Sequence, residues 1–279
     1  MDQSPRAARD RSIHGIYSAT LTPFDRDHKP DPSLAVPYYR SLLDRGCDGL
    51  NILGTTGEAM SVAVNDRLRF MESIAASLPL RTLMVGTGAT AFHDAVELTK
   101  AAFALGFSAA LVIPPFYYRD ISDGGIVRFF GDLIERVRPP NGGIFLYNFP
   151  RMSGMTFHAD LVATLMSEFP AAIGGMKDSS NDIDLERALH ARYPGFALLP
   201  GSDQMLPEVL EYDLAGCISG SVCLWPELAA AAWSERDMAK AMKVRDLRMA
   251  LPAPLIPAVR ARVAAEQKNE AWLRSIPPL

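Results

Sequence analysis

Cysteine is scarce in this chain of 279 residues: only Cys47, Cys217 and Cys223 occur, with no Cys-x-x-Cys pair among them. An odd number at such wide spacing makes neither a disulfide framework nor a zinc knuckle, so a reducing, cytoplasmic setting is expected. No apolar run approaches the ~18 residues that a membrane span requires. The opening MDQSPRAARDRSIHG is charged and lacks the apolar core of a signal peptide. Residues 1–14 therefore read as a flexible tail, and no membrane partner is expected. A basic stripe is missing too. The formal net charge is -4, which argues against nucleic acid as a partner. The five histidines, His14, His28, His93, His158 and His190, are scattered without metal-ligand spacing, so no metal is expected. Glycine-rich turns are present but wrongly continued. No Gly-Lys-Ser/Thr follows Gly54-Thr55-Thr56-Gly57, and Gly86-Thr87-Gly88 is too short for a dinucleotide fingerprint. Neither a P-loop nor a bound dinucleotide is predicted.

What the chain does have is alternation, with 48% hydrophobic residues to build a large core. Short apolar, β-branched stretches at about 15–22, 48–53, 81–86, 109–114, 142–148, 172–177, 196–200 and 215–220 read as strands. Segments of helical periodicity separate them: 32–45, 62–77, 91–105, 121–137, 159–169, 183–192 and 204–212. Many of these helices begin after Asp, Ser or Thr, which cap exposed N–H groups. Eight strand signals with helices between them predict an α/β fold, a (β/α)8 barrel over 15–233, with a doubly wound open sheet as the alternative. Beyond 233 the strand signals stop. Residues 234–279 read as a short C-terminal helical region punctuated by Pro252, Pro254 and Pro257.

A barrel of this kind carries its chemistry at the C-terminal ends of its strands. Those ends bring hydroxyls, small residues and one amine, Lys177, which closes the apolar run AAIGGMK. One reading is a lysine that snorkels from the barrel mouth or pairs with an acid. The other is an amine that attacks a ketone in its neutral form, favoured by partial desolvation. Tyr147, closing GGIFLYNFP, is either a core tyrosine with a satisfied hydroxyl or a proton relay beside that amine. Gly54-Thr55-Thr56-Gly57-Glu58 is either a capped turn or a cradle whose N–H groups and hydroxyls hold a carboxylate.

The ordered motifs GTTGE at 54–58, PPFYY at 114–118, YNFP at 147–150, GMKDSS at 175–180 and the closing IPPL resemble one family from about Gly15 onward. It is the dihydrodipicolinate synthase / N-acetylneuraminate lyase family of pyruvate-dependent class I aldolases. The resemblance implies a TIM barrel assembled as a homotetramer or dimer, with Lys177 forming the Schiff base and Tyr147 relaying protons above it. It implies Thr55 and Thr56 at the pyruvyl carboxylate, with Thr56 joining the relay. Tyr118, or alternatively Tyr117, corresponds to the tyrosine that a neighbouring subunit inserts. Gly201 and Ile218 match positions lining the substrate pocket through backbone atoms. The substrates implied are pyruvate and an aldehyde, and no cofactor is implied, since the imine itself is the electron sink.

The chain departs from the synthase pattern at Met152, where those enzymes carry an arginine for the second substrate's carboxylate. Here the arginine is one place earlier, at Arg151. The run Lys177-Asp178-Ser179-Ser180 looks most like members acting on 2-oxo-3-deoxy sugar acids. The C-terminal region is also shorter than in typical synthases. The expectation is an aldolase or lyase joining or cleaving pyruvate and an aldehyde. The alternatives are an imine-dependent sugar-acid dehydratase, the synthase reaction with aspartate semialdehyde, and a non-catalytic 2-oxo-acid sensor.

Overall fold

The computed structural model describes residues 13–279. Its eight strands are β1 (Gly15–Ala19), β2 (Gly49–Ile52), β3 (Leu83–Gly86), β4 (Ala109–Val112), β5 (Ile144–Asn148), β6 (Ile173–Asp178), β7 (Ala197–Pro200) and β8 (Gly216–Ser219). All pair in parallel in the order β7-β6-β5-β4-β3-β2-β1-β8, which is the order of a barrel and not of a doubly wound sheet. Between β7 and β8 the seam carries a backbone bond, Ala215 N–H donating to Leu198 O at 3.0 Å. β3, β5 and β7 end as read and β6 runs one residue further, to Asp178, whereas β1, β2, β4 and β8 end one to three residues before the apolar runs suggested. The chain leaves the ladder there to form the loops around the barrel mouth, as Thr20 does while still donating to Asn51 O at 3.1 Å.

Capping follows the chemistry read from the chain. Asp31 accepts the N–H groups of Ser33 and Leu34 at the start of the helix Pro32–Asp44. Ser122, Asp182 and Asp237 likewise cap the helices Asp123–Val137, Ile183–Arg192 and Met238–Met249. Alternation along each strand then divides the core. Tyr17, Met84, Leu111, Phe145, Tyr147, Leu199 and Ile218 fill the barrel interior, while intervening residues such as Ile144, Leu146, Ile173 and Met176 pack outward under the helices. Ile13 joins the interior cluster, although it falls in the stretch read as a tail. The rest of that stretch, residues 1–12, lies outside the described residues.

One irregularity governs the placement of the site. The β5–β6 register slips between Ile144↔Ile173 and Phe145↔Gly175, so Gly174 is an extra residue, a bulge. Ile173 and Met176 are three apart yet both face the helices. Without the bulge they would lie on opposite faces, and Lys177 would point outward. Glycine is needed at both positions. A Cβ on Gly174 would overlap the Gly142 carbonyl, and one on Gly175 would come within 2.5 Å of the Phe145 ring.

The C-terminal region is not a free appendage. Ala241 and Val244 of the helix Met238–Met249, and Val259 and Val263 of Leu255–Gln267, belong to the same core as Ile16, Leu50 and Leu83. Trp272 packs against Tyr38 with ring centroids 4.6 Å apart and the rings tilted by 59°. No helix among the described residues is long and apolar enough to cross a membrane.

Candidate active site

Tyr147 and Lys177 are register partners on β5 and β6, both facing the interior at the mouth of the barrel. They are 5% and 4% exposed. The lysine Nζ lies 4.7 Å from the centroid of the Tyr147 ring and has no ion pair or hydrogen bond among the described residues. The snorkelling and ion-paired readings of this lysine are therefore both set aside. Its amine ends inside the molecule, against an aromatic face.

The Tyr147 hydroxyl lies 3.3 Å from Thr55 Oγ1. Thr55 and Thr56 sit in the turn after β2, and Thr56 packs against Gly220. A Cβ on Gly220 would come within 2.7 Å of Thr56 Oγ1, so the absence of a side chain there leaves the threonine its place. This turn is anchored from below. Glu58 adopts the left-handed conformation (φ 55°), and its N–H donates to Thr55 O at 3.0 Å. The Glu58 carboxylate accepts from Arg260 Nε at 2.7 Å and from the Ile276 N–H at 2.9 Å. Arg260 also donates to the carbonyls of Thr22 and Trp272. Both partners are buried. A buried, fully bonded pair thus ties the threonine turn to the C-terminal helix and the closing IPPL.

Two further acids lie on the outer side of the same strands. Asp178 accepts from Asn148 Nδ2 at 2.8 Å, the Ser180 N–H at 2.9 Å and Ser180 Oγ at 2.7 Å. Burial pushes its carboxyl up, and these bonds pull it back. Glu186 sits beside it, buried, with no donor to either carboxyl oxygen. Burial first, and then the neighbouring Asp178 charge, raise Glu186 to about 9. The pair keeps its proton on Glu186, because Asp178 has three donors and Glu186 has none.

Above the amine opens a cavity of about 930 Å³, lined by Thr55, Thr56, Tyr147, Lys177, Gly201 and Met152. Six of the eight anticipated site residues therefore meet around one space. Ile218 does not line it; it is buried in the barrel interior within β8, and the chain reaches the cavity two residues later at Gly220. Tyr118 is 74% exposed on the loop after β4, its ring 5.4 Å from that of Tyr117 and away from the cavity of its own chain. Among the described residues no group of three or more His, Cys, Asp and Glu is placed to hold a metal ion. Reading the sequence did not bring out Arg248, which lines the cavity from the C-terminal helix, or the Glu58–Arg260 and Asp178–Glu186 pairs. Arg248 carries no local signal, since its helix shows no motif.

Comparison with known proteins shows the family and the fold. The Dihydrodipicolinate synthetase family model matches residues 12–261. An uncharacterized DapA-like lyase of Chloroflexus aurantiacus is 35% identical over 220 residues, covering 78% of this chain and 73% of that one. The N-acetylneuraminate lyase of Rhizobium meliloti is 32% identical over 238 residues, covering 85% and 76%. A prophage protein of the dihydrodipicolinic acid synthase family from Escherichia coli K12, solved in complex with pyruvate, superposes with a TM-score of 0.83 at 27% identity, covering 96% and 92%.

Proposed function

The chain belongs to the dihydrodipicolinate synthetase family and is one of its class I lyases, and on that premise we propose that it cleaves or forms a bond between pyruvate and an aldehyde through an imine on Lys177, with a 2-oxo-3-deoxy sugar acid as substrate. The observation that carries this reading is the register pair Tyr147–Lys177, an unpaired interior amine beside a phenol that reaches Thr55. In the cleavage direction the neutral Lys177 amine adds to the 2-oxo carbon. The resulting carbinolamine loses water as the Tyr147 hydroxyl, which meets that of Thr55 where Thr56 is expected, passes a proton to the departing oxygen. The protonated imine draws the C3–C4 bonding pair toward nitrogen as the C4 hydroxyl gives up its proton. An aldehyde leaves, and an enamine of pyruvate remains on Lys177. Protonation at C3 and addition of water then return pyruvate and the free amine.

Thr55 and Thr56 are suited to the pyruvyl carboxylate, since a turn of small residues presents hydroxyls and N–H groups to an anion. Tyr118 is proposed to complete the relay from a neighbouring copy in a homo-oligomer, a dimer or tetramer. Its exposure beside Tyr117, away from its own cavity, supports this. A cytoplasmic setting fits three buried, unpaired cysteines. The synthase reaction is less well supported, because Met152 leaves the cavity without the arginine expected at that position. The test is reductive trapping. Borohydride added with pyruvate should place one pyruvate-derived adduct on Lys177, and Lys177→Ala should abolish it. Absence of an adduct with every 2-oxo acid tried would overturn the reading.

A further inference from the structure

Lys177 is one of three cations lining the cavity. The others are Arg151, on the short helix Pro150–Ser153, and Arg248, in the last turn of Met238–Met249. No aspartate or glutamate side chain lines the same space. Arg248 is the more telling of the two. Its Nε is buried without a hydrogen-bond partner, and the nearest carboxylate, Asp203, stands 3.8 Å away. Asp203 is already occupied by Ser219 Oγ, Ser221 Oγ and Trp225 Nε1. It holds the base of the arginine electrostatically without taking its hydrogen-bonding capacity. Ser202 Oγ, on the loop after β7 and also at the cavity, is likewise buried without a partner. Arg151 has no ion pair among the described residues, and neither arginine pairs with Leu279, which lines the apolar wall with Leu251 and Leu255.

Buried donors without acceptors are costly, and native structures keep them for strain, for a functional role, or where a bound water or ion supplies the acceptor. The apolar wall lowers the local dielectric and strengthens any charge contact made there. The proposed lyase reaction uses one anion, the pyruvyl carboxylate, and assigns it to the threonine turn. Two guanidinium groups and a hydroxyl remain; Asp203 behind Arg248 partly balances that charge, while no acidic side chain faces the cavity itself. We infer that Arg248, together with Ser202 and Arg151, forms a subsite for a second anionic group at the far end of the substrate, a carboxylate or a phosphate. The planar guanidinium fork suits either group. This inference rests on the lyase reading and narrows it: the aldehyde half carries its own negative charge, and specificity for that charge resides on the C-terminal helix.

The test uses the full chain with pyruvate and matched aldehydes: glyceraldehyde against glyceraldehyde 3-phosphate, and butanal against succinic semialdehyde. Borohydride trapping of pyruvate runs in parallel. The expected result is a kcat/KM about 10- to 100-fold higher for the anionic member of one pair, the discrimination typical of a charge-assisted hydrogen bond. Which pair shows it identifies phosphate or carboxylate. Arg248→Met should bring that ratio close to unity, mainly through KM, and Arg248→Lys should restore part of it. If the protein traps pyruvate but treats charged and neutral aldehydes alike, the subsite is refuted while the lyase reading stands. If nothing is trapped, the lyase reading falls. The subsite is then decided by calorimetric titration with inorganic phosphate and with succinate. Binding lost in Arg248→Met supports it, and no binding to the unaltered protein overturns it.

Discussion

Glu186→Gln offers a test of the buried acid pair behind the catalytic strands. In the unfolded chain this carboxyl loses its proton near its ordinary value of 4.5, whereas in the fold it keeps it up to about 9. Between those limits the native state binds one more proton than the unfolded state, so stability falls as pH rises. The slope is at most about 1.4 kcal/mol per pH unit, the equivalent of one proton. Asp178 is raised as well and adds to the same trend. Glutamine keeps the shape and an N–H that can donate to Asp178, but removes the titration. The two proteins should be similar in stability near pH 5. By pH 8 the variant should be more stable by about 1–3 kcal/mol, a fraction of the limiting slope summed over this interval. For a chain of this size that corresponds to a Tm higher by roughly 2–10 °C. Urea unfolding at pH 5, 6, 7 and 8 measures the difference directly. A gap that stays constant, or narrows as pH rises, would refute the assignment of the proton to Glu186.

The relay and the anchor of the threonine turn make two further predictions. Tyr147→Phe removes the hydroxyl that meets Thr55 but leaves the ring beside Lys177. Turnover should fall by about 10²–10⁴, the usual worth of a positioned proton donor, with KM changing far less; a drop under threefold would remove the tyrosine from the relay. Glu58→Gln leaves Arg260 buried without its counter-charge and should cost about 3–5 kcal/mol in denaturant unfolding. A loss below 1 kcal/mol would show that the pair does not hold the turn.

The sequence was legible wherever the signal was local. Eight strand runs, the Asp and Ser caps, and the positions of Lys177 and Tyr147 at strand ends follow from periodicities of two and 3.6 and from turn chemistry. What was hidden depends on contacts far apart in the chain. Glu58 meets Arg260 across 202 residues, and no pattern in either segment announces the partner. Arg248 reads as one more basic residue on an exposed helix, until the fold turns that helix over the barrel mouth. Glu186 looks like a solvated helix position in DIDLERALHAR, and only packing against β6 buries it. Ile13 reads as part of the tail because the charges before it dominate the composition, whereas its own side chain fills the barrel interior.

The bulge at Gly174 carries a consequence for how this site is encoded. The lysine's orientation is a matter of parity: whether an odd or an even number of ladder positions separates it from Ile173. A chain shortened by one residue at this point would still form an apolar strand and could still close the barrel. It would also keep Met176 under the helices and Lys177 in the cavity, because removing the extra residue restores plain alternation. The full-length run paired without a bulge would instead present Met176 to the cavity and bury the amine, giving a folded protein without chemistry. The reactive group is thus set by a backbone count made at the far end of the strand, where nothing touches the substrate. A side chain at Gly174 would overlap the Gly142 carbonyl and disturb this count, although Gly174 does not line the cavity.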